Sequence, residues 1–190
     1  MESTVLRIGA SSVSVSVRPV GSTMPATEVL TGLDWSRTRA VNGVATVVNR
    51  PLSFPLDVGR TWSVSYTEHQ PNRVHSSEHF SSPYRVIGWE DVTVPAGPFH
   101  AVKIECEGVW SAVTAPGITS AFGARVDAAG TVSVIEQDRT IPHAVSGRTY
   151  KAFWYVPGVK KWVKSVEEYY DGNGVRYERH ADELQSYKVD

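Results

Sequence analysis

The sequence predicts an all-β protein with little helix, built as a curled antiparallel sheet or as a half-open or closed barrel of roughly nine to eleven strands. Three observations support this prediction. Apolar and polar residues alternate with a period of two along much of the chain. Val, Ser and Thr are plentiful and Leu is scarce, which is typical of strands. No window longer than about 11 residues keeps the 3.6-residue period of a helix.

The first hairpin is predicted at residues 4–8 and 12–18, where Val and Ser alternate on either side of a turn at Gly9–Ser11. The pattern weakens after this hairpin. Its strongest later features, Thr27–Trp35 and Val44–Val48, are either short strands or parts of a loop.

Prolines mark the segment Pro51–Gly59 as an extended lead-in to the next strand. That strand is predicted at Thr61–His69, and the turn residues Gln70–Arg73 follow it. A long strand should then run from about Arg73 to Val94, with a bend near Ser81–Pro83.

The stretch Trp89–Trp110 predicts two neighbouring strands joined across a stiff turn at Val94–Pro98. The second strand has one dry and one wet face, as expected for an antiparallel sheet that is solvated on one side. The dry face carries Val102, Ile104 and Cys106, and the wet face carries Ala101, Lys103, Glu105 and Glu107.

Residues 111–130 are rich in Ala, Gly and Ser, which indicates a loop or lid with room for one short strand. Residues 131–138 are typical of a strand. Aromatic residues on both faces of Gly147–Val156 indicate a central strand, and Lys161–Tyr170 should pair with it in antiparallel fashion. Pro157–Gly158 predicts a type II turn between them, with a positive φ at Gly158.

The clearest hairpin signal of the chain is Asp171–Gly174, between strands at Trp162–Tyr170 and Val175–Arg179. Residues 181–187 close the chain, and only Ala181–Ser186 could form a helical turn.

Length and charge limit the class of protein. The 190 residues suit one domain, 1–190, in which residues 1–50 have the least regular pattern. The 19 basic and 20 acidic residues argue against nucleic-acid binding, which usually needs a basic excess. No apolar run approaches the ~20 residues of a membrane span. The N-terminal residues do not form a signal peptide, so we expect either a cytoplasmic protein or the mature part of an exported one.

Three motifs occur in the order Phe54–Trp62, Val92–Phe99 with Ala101 and Lys103–Glu105, and Trp154–Lys164. Together they resemble a class of exported bacterial proteins of unknown function that is similar to the curled-sheet superfamily of periplasmic lipoprotein carriers. The resemblance covers about residues 52–188. It implies export to the periplasm or cell envelope, a concave sheet and an apolar ligand, and it supplies no catalytic residue.

Candidate catalytic and metal-binding residues have simpler explanations. His75 and His79 with Glu78 have helical metal-site spacing, but positions four apart on a strand are about 13 Å apart, too far to share a zinc ion. Glu105 and Glu107 could form an acid–base pair, although charge pairing with Lys103 explains them more simply. Nucleophile and zinc-protease motifs are missing from the sequence. We therefore predict no enzyme and no cofactor.

The aromatic residues are the remaining candidates for a site. They form either the core of the sheet or the lining of a cavity for an apolar ligand. We predict a non-enzymatic cell-envelope protein that binds an apolar or lipid-like small molecule, or a protein partner, on its sheet. The alternative is a structural or adaptor domain that associates through sheet edges. The predicted ligand-binding residues are Trp62, Tyr66, Trp89, Trp110, Trp154 and Tyr155.

Overall fold

The computed structural model describes residues 2–116, 122–126, 132–136 and 141–188. Within these residues it contains strands and no helix, which confirms the all-β prediction. The strands are β1 (Glu2–Ile8), β2 (Ser12–Arg18), β3 (Thr27–Gly32), β4 (Arg37–Val41), β5 (Val44–Asn49), β6 (Thr61–His69), β7 (His75–Val94), β8 (Gly97–Thr114), β9 (Phe122–Val126), β10 (Val132–Glu136), β11 (Ala144–Val156), β12 (Lys161–Tyr170) and β13 (Arg176–Glu183).

The strands form four antiparallel sheets. The largest has six strands in the order β13-β12-β11-β8-β7-β6, and the others are β1-β2-β3, β4-β5 and β9-β10. Among the described strands no sheet is closed or strongly curled, and β6 and β13 are the two edges of the six-stranded sheet. The expected count of nine to eleven strands is too low, because the described residues contain thirteen. We find no helix in these residues that has the length and hydrophobicity to cross a bilayer.

The N-terminal portion contains more regular structure than its sequence pattern indicates. The first hairpin is confirmed, with the N–H of Gly9 donating to the carbonyl of Ser12 at 2.7 Å. Both weak segments contain a strand, β3 and β5, and β4 was not predicted. Asn42 and Gly43 connect β4 to β5 with φ values of 51° and 80°, which is the pattern of a type I′ hairpin turn.

The central strands agree closely with the predicted pattern. β6 spans the predicted residues, and β7 pairs with β8 from His75 to the turn at Pro95 and Ala96. The register of this ladder shifts near Ser77 and between Val86 and Gly88 rather than near the predicted bend. A register shift of this kind, as at a β-bulge, turns a strand locally without breaking the sheet.

One face of the six-stranded sheet forms the core of the protein. Trp35, Val47 and Leu56 from the preceding segments pack against this face and Leu52 is completely buried in it. Burial of each large apolar side chain stabilises the fold by roughly 1.5–3 kcal/mol. The buried cluster contains Leu52, Val64, Tyr84, Val86, Val102, Ile104, Cys106, Phe153 and Tyr155.

Lys161 joins the N-terminal sheet to this core. Its ammonium group lies 4.8 Å from the ring centre of Trp35 and 5.7 Å from that of Trp162, and it donates to the hydroxyl of Ser3 at 3.2 Å. Burial lowers the pKa of Lys161 from its ordinary value. The cation is thus held by aromatic rings and a hydroxyl group.

The connection between β11 and β12 corrects one prediction. The two strands are antiparallel neighbours, as expected. However, Gly158 does not have a positive φ, so the predicted type II turn is wrong. The carbonyl of Val156 accepts hydrogen bonds from the N–H groups of Val159 at 3.1 Å and Lys160 at 3.0 Å. The left-handed residue is Lys160, with a φ of 59°.

The hairpin between β12 and β13 is confirmed. The carboxylate of Asp171 accepts from the N–H groups of Asn173 at 2.9 Å and Val175 at 2.8 Å, and Gly174 has a φ of 77°. The chain after β13 continues without a helical turn to residue 188. The predicted loop begins too early, because residues 111–114 belong to β8 and pair with β7 and β11. Within 111–130 and 131–138 the structure also contains β9 and β10, which pair with each other, and the other residues of these stretches beyond 116 lie outside the described residues.

Candidate functional site

Two of the six predicted aromatic residues belong to the packed core. The ring of Trp62 stacks on that of Tyr84 with centres 5.5 Å apart, and its Nε1 donates to the carbonyl of Arg50 at 2.8 Å. Tyr155 is buried, and the ring of Phe54 meets it edge-on at 5.6 Å. These contacts are those of interior aromatic residues.

Tyr66 and Trp110 are half-buried. The ring of Tyr66 stacks on Phe80 with centres 5.0 Å apart, and the guanidinium of Arg39 lies 5.6 Å from the centre of the tyrosine ring. The ring of Trp110 lies 6.4 Å from that of His75. Both residues therefore pack against neighbouring side chains.

The last two aromatic residues lie apart from the others. Trp89 is 50% exposed and stacks on His100 at 4.9 Å. Trp154 is opposite Lys103 in the β8–β11 ladder, on the face away from the core, and its Nε1 donates to Glu90 at 2.8 Å. The six side chains are thus divided between the two faces of the sheet, and none of them lines either of the clefts described below.

The histidines on β7 are engaged with nearby residues. Nδ1 of His75 lies 2.6 Å from a carboxylate oxygen of Glu78, and Nδ1 of His79 lies 2.9 Å from the hydroxyl of Thr67. In the described part of the chain, no three His, Cys, Asp or Glu side chains come together as metal ligands.

The wet face of the six-stranded sheet carries a network centred on Glu105. Its carboxylate lies 2.8 Å from the ammonium of Lys103 and accepts a hydrogen bond from the hydroxyl of Tyr150 at 2.8 Å. Partial burial acts to raise the pKa of Glu105, but these two hydrogen bonds outweigh it and lower the pKa below its ordinary value. This carboxylate is therefore ionised and paired, as charge pairing on a strand face predicts.

A cleft of about 330 Å³ lies on this face beside the β12–β13 turn. We call it the tyrosine cleft. It contains two aromatic residues and one side chain of each charge, and it is lined by Glu107, Arg148, Thr149, Tyr150, Tyr170 and Gly174.

A second cleft, of about 400 Å³, lies between β5 and the edge strand β6. We call it the edge groove. The hairpin β4–β5 contacts β6 at both ends of this groove and leaves the middle open. The lining residues are Ala45, Thr46, Val47, Arg50, Ser63, Val64 and Ser65.

The amide of Asn42 joins the β4–β5 hairpin to β6 beyond one end of the edge groove. Its nitrogen donates to the carbonyl of Thr67 and its oxygen accepts from the N–H of His69, both at 2.8 Å. At the other end, the indole of Trp62 donates to the carbonyl of Arg50. The two contacts hold the hairpin beside β6 without a ladder between them.

The backbone of Ser63 and Ser65 faces the edge groove. Both backbone groups of a strand residue point to the same side, and the side alternates along the chain. The backbone groups of Thr67 and His69 bond the Asn42 amide and therefore face away from β7. Because the side alternates from one residue to the next, the backbone groups of Ser63 and Ser65 also face away from β7. Among the described residues, neither serine makes a backbone hydrogen bond on that side. Pro83 pairs with Ser63 and has no N–H to offer, which agrees with this orientation.

The opposite edge of the six-stranded sheet is different. Every residue of β13 is exposed, and most of them are charged. Two of its arginines, Arg176 and Arg179, contact a carboxylate oxygen of Glu168 at 2.8 and 3.1 Å. A charged edge discourages pairing with another strand, so β6 is the more receptive edge.

Comparisons with protein-family models, with curated proteins and with solved structures found no match. The resemblance to periplasmic lipoprotein carriers therefore stays a prediction.

Sequence reasoning missed both clefts. The edge groove depends on β4 and on the position of the Asn42 amide, and only the Asn42–Gly43 pair indicated a hairpin there. The tyrosine cleft depends on the register that places Glu107 opposite Tyr150 and Arg148 opposite Tyr170. That register cannot be read from any single strand.

Proposed function

We propose that this protein is a non-enzymatic interaction domain that binds an extended segment of a partner polypeptide at the edge groove. The observation that supports this proposal is the outward-facing backbone of Ser63 and Ser65 in an open groove on an edge strand. An added strand would use the two N–H groups and two carbonyls of these serines as ladder partners.

The geometry favours a polypeptide over an apolar small molecule. The predicted aromatic residues contact neighbouring side chains, and the two clefts are lined by other residues. The edge groove instead presents serine backbone and the guanidinium of Arg50. That guanidinium lies 3.0 Å from a carboxylate oxygen of Asp34 and is partly exposed. This lining suits a polar chain with its own backbone hydrogen-bonding groups.

The proposal keeps the location that the sequence resemblance implies, which is the periplasm or cell envelope. Fractionation of the native host, followed by immunodetection, tests it. Recovery with the cytoplasmic marker proteins would contradict that location and leave the strand-addition proposal intact.

A proline substitution in the edge groove tests strand addition. Ser65→Pro removes one outward N–H and places a ring at the groove, while the ladder to β7 does not use that N–H. Short random peptides displayed on phage are selected on the full chain, and the retained peptide is synthesised for titration. We expect Ser65→Pro to weaken its affinity about tenfold or more, because a backbone hydrogen bond contributes about 0.5–1.5 kcal/mol and the ring adds a steric block.

The matched control is Ser65→Ala, which changes the side chain and keeps the N–H. It should bind the peptide as the original chain does. Amide hydrogen exchange at Ser63 and Ser65 should also slow when the peptide binds. Equal affinity of the proline and alanine variants would refute strand addition at this edge, provided that both variants melt near the temperature of the original chain.

A further inference from the structure

The tyrosine cleft has walls that are fixed by hydrogen bonds. The hydroxyl of Tyr150 donates to Glu105 at 2.8 Å, and the hydroxyl of Tyr170 donates to Glu168 at 2.6 Å. Both acceptor carboxylates are themselves paired with cations. The two hydroxyl groups are thus hydrogen-bonded to residues of the sheet, and these bonds hold the tyrosine rings in place at the cleft.

The two charged residues of the cleft have no such partners. Within the described residues, neither Glu107 nor Arg148 forms an ion pair or a side-chain hydrogen bond. The ladder places them on neighbouring strands, with Glu107 opposite Tyr150 and Arg148 two residues away on the same face. This diagonal arrangement separates their Cβ atoms by about 7 Å. The two side chains line the same cleft without pairing with each other.

We propose that the tyrosine cleft binds a small zwitterion that carries an ammonium group and a carboxylate. The ammonium lies against Glu107 and the ring of Tyr150, where a carboxylate and an aromatic face both attract a cation. The carboxylate receives paired N–H groups from the guanidinium of Arg148. A molecule with only one charge leaves the other side chain without a partner.

The volume of the cleft agrees with this class of ligand. About 330 Å³ is at the lower end of the range for small-molecule sites. An open cleft of this size holds a compact ligand with few contacts, so we expect a dissociation constant on the order of 1 mM. This site lies on the wet face of the sheet and is independent of the edge groove.

Titration of the isotope-labelled full chain, followed by NMR, tests the proposal. The probe is glycine betaine, and choline and acetate each present one of its two charges. We expect betaine to shift the backbone signals of Tyr150 and Tyr170, and choline and acetate to bind about tenfold more weakly. Arg148→Gln should reduce betaine affinity about tenfold, and so should Glu107→Gln.

Arg85→Gln is the matched control, because Arg85 is an exposed arginine without an ion pair among the described residues, and it lies one strand further along, opposite Glu105. This variant should bind betaine as the original chain does. No shift with betaine would overturn the proposal, as would shifts that persist in both cleft variants. Equal binding of choline or acetate would overturn the zwitterion assignment.

Discussion

The turn between β11 and β12 makes a sharp test of the backbone geometry. Lys160 has a φ of 59°, a conformation that costs an L-residue roughly 1–2 kcal/mol. Glycine adopts it freely but loses about 0.5–1 kcal/mol more conformational entropy on folding. Lys160→Gly should therefore stabilise the protein by about 0.5–1 kcal/mol and raise the melting temperature by about 1–4 °C. The hydrogen bond from Trp35 to the carbonyl of residue 160 is retained.

Two further substitutions in the same turn, Gly158→Ala and Pro157→Ala, should change the stability in opposite directions or leave it unchanged at Gly158. Gly158 has no positive φ, and the space where a Cβ would lie is open within 4 Å. Gly158→Ala should leave stability unchanged or raise it by about 0.4–1 kcal/mol, because alanine restricts the unfolded chain. Pro157→Ala should lower stability by a similar amount, because it frees the unfolded chain.

Urea melts followed by tryptophan fluorescence measure all three variants against the original chain. Lys160→Gly should be more stable than the original chain, Gly158→Ala should be at least as stable, and Pro157→Ala should be the least stable of the four. A type II turn would give a different result, since alanine at a positive φ would cost about 1 kcal/mol or more. A large loss of stability for Gly158→Ala would therefore refute the described turn.

Three other predictions concern the six-stranded sheet. Gly147→Ala should unfold the protein or lower its stability by several kcal/mol in urea melts, because the new Cβ would lie 2.0 Å from the carbonyl oxygen of Tyr170; Gly158→Ala is its control. Burial raises the pKa of the Cys106 thiol to about 11, so a thiol reagent at mildly alkaline pH should label the unfolded chain and not the folded one. Tyr150→Phe should raise the pKa of Glu105 in an NMR titration. Glu105 stabilises the fold above its unfolded pKa and loses that contribution as the pH falls through its lower folded pKa, so the variant should be less sensitive to acid.

Strands with a clear alternation could be predicted from the sequence. β6 was placed correctly because Trp62, Val64 and Tyr66 alternate with polar residues and turn residues follow. The pairing of β11 with β12 and the hairpin around Asp171 were also predictable, because a short connection places two consecutive strands side by side. For these elements, the local sequence pattern was sufficient to predict the strand or the turn.

Features set by contacts between distant segments could not be predicted. β4 has a charged, poorly alternating sequence and is recognisable as a strand only beside β5. The left-handed residue in the β11–β12 turn is a lysine, whereas the predicted position was the glycine two residues earlier, because glycine is the residue that most often adopts a positive φ. Trp154 and Tyr155 are consecutive, and therefore lie on opposite faces of the sheet rather than in one cluster.

The chain leaves the six-stranded sheet after β8 and returns to it at β11, which pairs directly with β8. At that point the N–H of Thr114 donates to the carbonyl of His143 at 3.0 Å, and the N–H of His143 donates to the Thr114 hydroxyl at 2.9 Å. These two hydrogen bonds hold together the two ends of the segment that connects β8 to β11. Closing a longer loop costs little extra free energy. Connecting segments of different length are therefore compatible with the same register between β8 and β11. The same position is suited to grafting a foreign domain onto this scaffold.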